Sequence, residues 1–513
     1  LIRQLFLLKD ILFIFELPIL IYLTFFKKDN TLFKSSKYSF SNSRNFKFKY
    51  KLGILILIIF LFASQLVYAN YIFEDKNIME LYQESTPAFV GVYGITPLYL
   101  AEFNYLYFAA DEKEEKEEEV EIQSDTKLSG DYSIDSPKNI IVIQLESFDE
   151  KIIDYKYNGK EITPFLNSLK DESLYFDNFY AQHINGSFDA ELSFLTSLYP
   201  INKNYAFKEN DMAEFNSMIK VLDKKGYNSI AFHGNKEEFF YRDKGYLEMG
   251  FDKFHSRKDF SAQKGKIKDD TYFGINDYDF FDQSIEYLKD AEKPFFAFFI
   301  TVSSHTPFDF YPEKDKVEEF EDISTTLVRD YFQSMAFVDK SLKMFFDKLK
   351  NNDLYEDTLF VIYSDHTADV NKEEYESGGN FSIDRNIKEP ENVPLLINHS
   401  DIEGEVIDKT GTHTDLGPTI IDLIGQEEKP SEFLGNSLLN SKENPVVFLH
   451  EIPQILYKKQ LFLQIPSEID KENNFKKFSY KKENRKEDVE LKESDKENIK
   501  EIINYMQEIM REK

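Results

Sequence analysis

Short apolar runs alternate with amphipathic stretches through the middle of the chain, and this alternation limits the folds that it can adopt. Apolar runs predict strands over residues 139–145, 229–233, 294–302, 358–363 and 393–397. Helical periodicity predicts helices over residues 163–174, 214–225, 282–291, 330–349 and 495–510. Strands that alternate with helices build a mostly parallel sheet sandwiched between helices. The sequence therefore predicts an α/β fold with such a sheet at its centre.

Polar side chains stand at or just beyond the carboxyl ends of four predicted strands. Glu146 follows the first strand, and His233 ends the second. His305 comes shortly after the third, and the pair Asp365 and His366 comes after the fourth. In parallel sheets, ligands bind beyond these strand ends. We therefore expect these side chains to form one site.

Glu146, Asp365 and His366 together suit a divalent cation. An Asp-His pair alone is common in surface turns, but Glu146 adds a second carboxylate from another strand end. Two carboxylates and an imidazole balance the charge of the ion and leave positions open for a hydroxyl and a phosphate oxygen. An oxygen bound to such an ion loses its proton more easily, as the pKa of bound water falls from about 15.7 to about 7.

Ser187 is the hydroxyl that we assign to this site, both as nucleophile and as a further metal ligand. It follows Gly186 and precedes residues 188–191, which read as a helix start. The free backbone N–H groups of a helix amino terminus bind phosphate. The alternative is that Ser187 only caps the helix, but the neighbouring ligand set favours the catalytic role.

Charge and composition exclude several other functions. The chain has 513 residues and a formal net charge of −30, whereas a nucleic-acid site needs a basic face. It contains no cysteine, which excludes disulfides and cysteine-based zinc sites. We therefore expect no nucleic-acid partner.

Two apolar segments near the amino terminus predict membrane spans. Residues 53–69 carry no charge, while residues 11–26 contain Glu16 and Pro18. A cleaved signal peptide is the alternative for the second segment. The loop over residues 27–51 is basic, and such loops stay on the cytoplasmic side. We expect the rest of the chain to lie outside the cell, where a phosphotransfer enzyme must use a lipid-linked or otherwise activated phosphate instead of ATP.

The sequence divides into four expected regions. Residues 1–69 form a membrane region, and residues 70–136 form an extracellular linker with an acidic run at 111–125. A catalytic domain follows over residues 137–450, and a charged segment over 451–513. Because the first residue is Leu1 within hydrophobic sequence, we also expect further sequence upstream.

Several ordered motifs resemble the lipoteichoic-acid synthase branch of the sulfatase/alkaline-phosphatase superfamily. They lie at residues 145–147, 163–166, 186–191, 197–200, 232–235, 241–243, 304–308 and 364–366. The resemblance covers residues 137–435, and it implies a sulfatase-like fold that is preceded in the sequence by membrane helices.

The resemblance implies a role for each site residue. Glu146, Asp365 and His366 resemble the manganese ligands of the family, so Mn2+ is the expected cofactor, with Mg2+ or Zn2+ as alternatives. Ser187 stands where this branch usually has threonine. The same resemblance implies three substrate contacts. Arg242 resembles the arginine that grips the phosphoglycerol headgroup, His305 resembles the histidine that contacts substrate, and His233 is assigned to substrate binding with them. The alternative for these three is a salt bridge or a satisfied core group.

The resemblance also implies a reaction: transfer of phosphoglycerol from phosphatidylglycerol to a cell-envelope polymer or glycan through a phosphoglyceryl-serine intermediate. Alternatives on the same scaffold are phosphoethanolamine transfer, phosphoglycerol transfer to glucans, and an inactive wall-binding relative. A sulfatase is disfavoured because Ser187 lacks the Cys/Ser-x-Pro-x-Arg signature. Phe240 stands where a tryptophan is common. Among the other histidines, we favour a structural role for His183 and consider His413 a candidate contact behind the metal ligands.

Overall fold

The computed structural model describes residues 126–128, 139–202, 204–262, 274–378, 390–440, 445–450, 454–457, 460–464, 475–478 and 493–512, together with Leu98 and Ile134. The strands are β1 (Asn139–Leu145), β2 (Lys156–Tyr157), β3 (Lys160–Glu161), β4 (Leu174–Phe176), β5 (Phe179–Tyr180), β6 (Asn228–His233), β7 (Lys253–His255), β8 (Phe295–Ile300), β9 (Thr358–Ser364), β10 (Leu395–Asn398), β11 (Glu405–Ile407), β12 (Gly411–Thr412), β13 (Val446–Phe448), β14 (Gln454–Tyr457), β15 (Gln460–Gln464) and β16 (Phe475–Phe478). The helices are α1 (Pro164–Lys170), α2 (Phe188–Thr196), α3 (Ala206–Glu209), α4 (Met218–Asp223), α5 (Arg242–Met249), α6 (Asp277–Lys289), α7 (Thr326–Asn351), α8 (Lys372–Gly378), α9 (Leu416–Leu423) and α10 (Glu493–Glu512).

Eight strands form the central sheet, in the order β11-β4-β10-β9-β1-β8-β6-β7. All adjacent pairs are parallel except the two that involve β10, which runs against β9 and β4. The predicted mostly parallel sheet is therefore confirmed. Strand β1 lies between β8 and β9, and all seven of its residues are buried, as expected for a strand covered on both faces.

Helices cover both faces of this sheet. Side chains of β1 alternate between two apolar clusters: Ile140 and Val142 belong to one, and Ile141 and Ile143 belong to the other. Helices α2, α4, α5, α9 and α10 contribute to the first cluster, while α1, α6, α7 and α8 contribute to the second. The described residues from 126 onward therefore include a three-layer α/β/α sandwich, with the carboxyl ends of the parallel strands at one edge of its sheet.

The predicted elements differ from the observed ones mainly at their ends. The prediction of a helix over 163–174 is wrong beyond Lys170, because Leu174 pairs with Ile397 and begins β4. The helix predicted from residue 214 begins only after Ser217, whose side chain accepts a hydrogen bond from the backbone N–H of Lys220. Strands of two or three residues are not predicted from the sequence, because an alternating pattern cannot be recognised over so few residues.

The membrane prediction falls on the undescribed part of the chain. Both expected spans, residues 11–26 and 53–69, lie outside the described residues. Among the residues that the structure describes, no helix combines the length and apolarity needed to cross a bilayer. The described residues from 126 onward form one compact unit. Within it, β13 pairs with β14 across the expected boundary at residue 450.

Candidate active site

The register of two neighbouring strands places Glu146 beside Asp365. Parallel pairing sets Leu145 opposite Ser364, so the next residue of each strand emerges at the same edge of the sheet. The backbone N–H of Asp365 donates to the carbonyl of Leu145 at 3.0 Å. The Ser364 hydroxyl also donates to that carbonyl, at 2.9 Å. Hydrogen bonds between the strands thus fix the two carboxylates relative to each other.

Asp189 shapes the loop that carries Ser187. One oxygen of its buried carboxylate accepts the backbone N–H groups of Ile184, Asn185 and Gly186, at 2.8, 2.5 and 3.4 Å. These bonds fold the chain tightly just before α2 begins. The sequence marked this segment as a helix start, but it did not reveal Asp189 as the residue that organises the loop.

The hydroxyl of Ser187 faces the strand ends. Its oxygen lies 3.2 Å from Nε2 of His366 and 3.4 Å from Oε2 of Glu146. Ser187 makes no side-chain capping bond to α2. The capping interpretation is therefore wrong, and the hydroxyl is directed at the residues that we expected to bind the metal.

Four predicted site residues converge on one point. The ligand atoms of Glu146, Asp365 and His366 all lie within 4.8 Å of one another. Nε2 of His366 is 3.4 Å from Oε1 of Glu146 and 3.5 Å from Oδ2 of Asp365. Nδ1 of His366 donates to the Thr367 carbonyl at 2.9 Å, which leaves the lone pair on Nε2.

The donor set fits a divalent cation. Oδ2 of Asp365 is a buried carboxylate oxygen without a hydrogen-bond partner, whereas Oδ1 accepts from the N–H groups of Ser147 and His366. Buried carboxylate oxygens need compensation, and metal coordination supplies it. Two carboxylate oxygens, an imidazole nitrogen and a hydroxyl are suitable for manganese, magnesium or zinc, so the residues do not select one ion.

The ionisation of these residues reflects their burial and crowding. Burial opposes the charge on Glu146, but the hydrogen bond and charge of His366 hold the Glu146 pKa below its ordinary value. Burial, followed by the charge of Glu146, raises the pKa of Asp365 well above its ordinary value. Burial opposes protonation of His366, yet the charge of Asp365 raises the pKa of this histidine. A cation would supply the positive charge that two adjacent carboxylates require.

Arg242 and His233 lie together beside this centre. Nε of Arg242 donates to both carboxylate oxygens of Glu191, at 3.1 and 2.9 Å, and its Nη2 also donates to that carboxylate. Its Nη1 donates to Nε2 of His233 at 3.2 Å, while Nδ1 of His233 donates to the carbonyl of Ile300. Burial and the charge of Arg242 hold the His233 pKa well below its ordinary value, so His233 is neutral. With Arg242 only 1% exposed, the guanidinium is held by Glu191.

His305 lies on the loop after β8, which two buried groups hold in place. The carboxylate of Asp277 accepts the N–H groups of Val302 and Ser303, at 2.9 and 3.0 Å. The Ser304 hydroxyl donates to the carbonyl of Glu146 at 2.5 Å. His305 is partly exposed, and its charge contributes to lowering the Glu146 pKa. The loop thus brings His305 to the same side of the sheet as the four converging residues.

An aromatic side chain lies against the nucleophile loop. A Cβ atom added at Gly186 would lie 3.2 Å from Cζ of Phe240, and the Phe240 ring also packs on Phe188. Phe240 and Tyr241 both adopt positive φ angles, which bulky residues rarely do and which are typical of functional sites. A side chain at position 186 would therefore require a small shift of the Phe240 ring.

Two further histidines and one glutamate lie next to the centre. Nδ1 of His413 accepts the N–H of Gln182, and its Nε2 donates to the carbonyl of Ser364 at 2.8 Å. Burial lowers the pKa of His413 to about 3, so this residue is a neutral link between β9 and the segment before the nucleophile. His183 contacts His366 and Glu391. Sequence patterns did not indicate Glu391, since it follows a stretch without periodicity.

Comparisons with known proteins identify the family to which this chain is similar. The family model described as sulfatase matches residues 138–426. Lipoteichoic acid synthase 2 of Bacillus subtilis (strain 168) is 35% identical over 317 residues, which cover 60% of this chain and 48% of that protein. Lipoteichoic acid synthase of Staphylococcus aureus (strain USA300) is 31% identical over 324 residues, 62% of this chain and 50% of that protein. The chain thus spans about half the length of the curated relatives it matches.

A solved structure is similar to this chain in fold. The crystal structure of the lipoteichoic acid synthase LtaP from Listeria monocytogenes superposes with a TM-score of 0.65 and 25% sequence identity. The match covers 75% of this chain and 96% of that one.

Proposed function

The chain belongs to the sulfatase family, and from this premise we propose that it is a metal-dependent phosphotransferase that moves phosphoglycerol from phosphatidylglycerol to a cell-envelope polymer or glycan. The observation that carries the proposal is the position of the Ser187 hydroxyl, 3.2 Å from His366 and 3.4 Å from Glu146. Its relatives named lipoteichoic acid synthases support the choice of donor and acceptor.

Ser187 is the proposed nucleophile. Its hydroxyl loses its proton as the oxygen attacks the phosphorus of the phosphatidylglycerol headgroup, the bond from phosphorus to the diacylglycerol oxygen breaks, and the released diacylglycerol oxygen takes up one proton in return. A hydroxyl of the acceptor then attacks the phosphorus of the phosphoglyceryl-serine, the bond from phosphorus to the Ser187 oxygen breaks, and that oxygen takes up the proton that the acceptor hydroxyl loses. The covalent intermediate divides one difficult displacement into two easier steps.

Glu146, Asp365 and His366 would hold the cation together with Ser187. A divalent cation bound there supplies positive charge beside the phosphoryl oxygens and lowers the pKa of a bound hydroxyl. Manganese is our proposal, because the matching motif of the resembled family binds it. His366 keeps its Nε2 lone pair available by donating Nδ1–H to the Thr367 carbonyl.

Arg242, His233 and His305 are proposed to face the substrate. His305 lies on the exposed side of the site, where it can hydrogen-bond the phosphate or protonate the leaving oxygen. The Arg242 charge is already shared with Glu191. Its Nη1 donates to the neutral His233 and, at 3.4 Å, to the carbonyl of Phe239, so Arg242 is proposed to reach the phosphate by exchanging one of these two bonds for it.

The membrane setting is also part of the proposal. Two spans within residues 1–69 and a linker over 70–136 would hold the catalytic domain outside the cytoplasm. Its donor is then a lipid of the same membrane.

The test uses the purified chain with phosphatidylglycerol labelled in its headgroup glycerol, with added Mn2+. We expect release of diacylglycerol and, by mass spectrometry, a phosphoglyceryl adduct on Ser187. Ser187→Ala is the matched control and should give neither product. Turnover with phosphatidylethanolamine instead would identify phosphoethanolamine transfer, and no turnover with either lipid would favour a binding protein.

A further inference from the structure

His183 and Glu391 lie beside the proposed metal ligands but have no part in the proposed reaction. Nδ1 of His183 is 3.2 Å from Oε1 of Glu391. Both side chains are mostly covered, with 28% and 24% of their surfaces exposed. The charge and hydrogen bond of His183 hold the Glu391 pKa below its ordinary value, against the effect of burial. The two residues therefore form a hydrogen-bonded pair.

This pair contacts His366 from two directions. The imidazole of His183 is stacked on that of His366, with ring centroids 4.1 Å apart and 15° between the ring planes. The second oxygen of Glu391 accepts the backbone N–H of Thr367 at 2.9 Å. The carbonyl of the same Thr367 accepts Nδ1–H of His366. The stacked His183 ring thus covers one face of the His366 ring. The hydrogen bond from Thr367 to Glu391 fixes the backbone whose carbonyl accepts Nδ1–H of His366.

His183, His366 and Glu391 also have ligand atoms within 4.8 Å of one another, which raises the possibility of a second cation site. The stacking argues against it. An imidazole nitrogen binds a metal ion that lies in the plane of its ring. The planes of the His183 and His366 rings are stacked and nearly parallel, so a single ion cannot lie in both. His366 has a single available lone pair, on Nε2, and this atom faces Ser187.

We propose that His183 and Glu391 are positioning residues that hold the His366 imidazole so that its Nε2 is directed at the Ser187 hydroxyl and the metal. The inference rests on the proposed function, since it concerns the same ligand. Partners that orient a metal-binding histidine typically change metal affinity by about 10–100-fold when they are removed.

The test measures Mn2+ affinity and stoichiometry of the full chain by titration calorimetry. His183→Ala removes both the stacking and the hydrogen bond, while His183→Phe keeps an aromatic ring over His366. We expect the dissociation constant for Mn2+ to rise about 10–100-fold in His183→Ala and in Glu391→Ala. His183→Phe should show a smaller rise than His183→Ala, because it restores the stacking alone.

His255→Ala is a matched control. His255 is also partly buried, stacks on Tyr287 at 4.0 Å and lies 3.9 Å from the carboxylate of Asp259. It belongs to β7 at the far edge of the sheet. Its replacement should leave the affinity for Mn2+ unchanged, and circular dichroism of each metal-free variant should match that of the parent chain.

Two results would overturn the inference. The first is an unchanged dissociation constant in both alanine variants, with the folded state intact. The second is two Mn2+ ions bound per chain, falling to one in Glu391→Ala, which would make the pair a second metal site. If the parent chain transfers phosphoglycerol while the variants bind Mn2+ as it does, only the positioning role fails. If the parent chain binds none of Mn2+, Mg2+ and Zn2+, the proposed function itself fails.

Discussion

Nε2 of His366 lies 3.2 Å from the hydroxyl oxygen of Ser187, although 179 residues separate the two along the chain. His366 follows the central strand β9, whereas Ser187 precedes helix α2 on one face of the sheet. Their closeness gives one point in space both a potential nucleophile and a metal-binding nitrogen.

Replacing Ser187 with alanine should abolish phosphoglycerol transfer. Loss of a nucleophile typically lowers kcat by about 10³-fold or more. Ser187→Thr should retain activity, because a hydroxyl remains and the resembled family uses threonine. Rates of diacylglycerol release from phosphatidylglycerol check both variants. Substantial release by Ser187→Ala would remove this residue from the mechanism.

Asp365→Asn should abolish most of the stabilisation that Mn2+ binding gives to the folded chain. In the parent chain, saturating Mn2+ should raise the melting temperature, since an ion at 100 times its dissociation constant stabilises by about 2.7 kcal/mol. The variant should show little shift, because the unpartnered oxygen of Asp365 is lost. Without metal it should melt at the same or a higher temperature, as a carboxylate next to Glu146 has been removed. An equal Mn2+ shift in both proteins would contradict the assignment.

Gly186→Ala should impair catalysis more than folding. The new methyl group would lie 3.2 Å from Cζ of Phe240, so that ring must move away from the nucleophile loop. Because this ring is only partly buried and a small shift relieves the contact, the cost in stability should be at the low end of overpacking, about 1 kcal/mol. The double variant Gly186→Ala/Phe240→Leu should recover stability, because the smaller side chain relieves the contact. Thermal unfolding and transfer rates of the two variants give the comparison, and wild-type stability and rate in the single variant would contradict it.

Arg242→Met should destabilise the protein by about 3–5 kcal/mol, since it leaves the carboxylate of Glu191 buried without its cation. The double variant Arg242→Met/Glu191→Gln should regain much of this loss. Urea denaturation measures both. If the double variant is stable but transfers poorly, Arg242 acts on the substrate as proposed. Full activity in that variant would leave Arg242 with a structural role alone.

Asp339 should make stability depend on pH. Its carboxylate accepts the N–H groups of Phe165 and Leu166, at 3.0 and 2.8 Å, and burial raises its pKa to about 7 from the ordinary 3.8. The folded chain therefore holds this proton at pH values where the unfolded chain has released it. This contribution to stability is complete below about pH 4 and is lost as the pH rises through 7.

The measurement is the free energy of unfolding from pH 5 to 8 for the parent chain and Asp339→Asn. The parent should lose stability relative to the variant by up to about 1.4 kcal/mol per pH unit. Only the difference in unfolding free energy between the parent chain and the variant reports on Asp339, because Asp277 has a similarly raised pKa. Parallel stability curves would show that Asp339 keeps an ordinary pKa.

The long strands and the residues at their ends were predictable because their signals are local. β1 is a run of seven buried residues, and Glu146 and Asp365 follow directly from the ends of such runs. Glu391 and Asp189 were not predictable in the same way. Glu391 reaches the site from residues that precede the reversed strand β10, and Asp189 acts by bending a loop back on itself. Only the folded backbone shows these contacts.

Arg242 shows a second reason why the sequence alone does not predict the whole site. Sequence alone gives the guanidinium but not its neighbour Glu191, which lies on another helix 51 residues away. Whether a charged side chain faces a substrate or a buried partner depends on packing between α2 and α5. This relation has no periodicity in the sequence.

Leu145 pairs with Ser364, which lies 219 positions later in the chain, and this pairing implies that insertions are tolerated in some places and not in others. Extra residues in the surface connections between β1 and β9 would leave both strand ends where they are. A single residue added inside either strand would shift the pairing by one step and turn its side chains to the opposite face of the sheet. Homologous chains can therefore diverge widely in the length of what lies between the two carboxylates, while the few residues of the strands themselves admit no change of length.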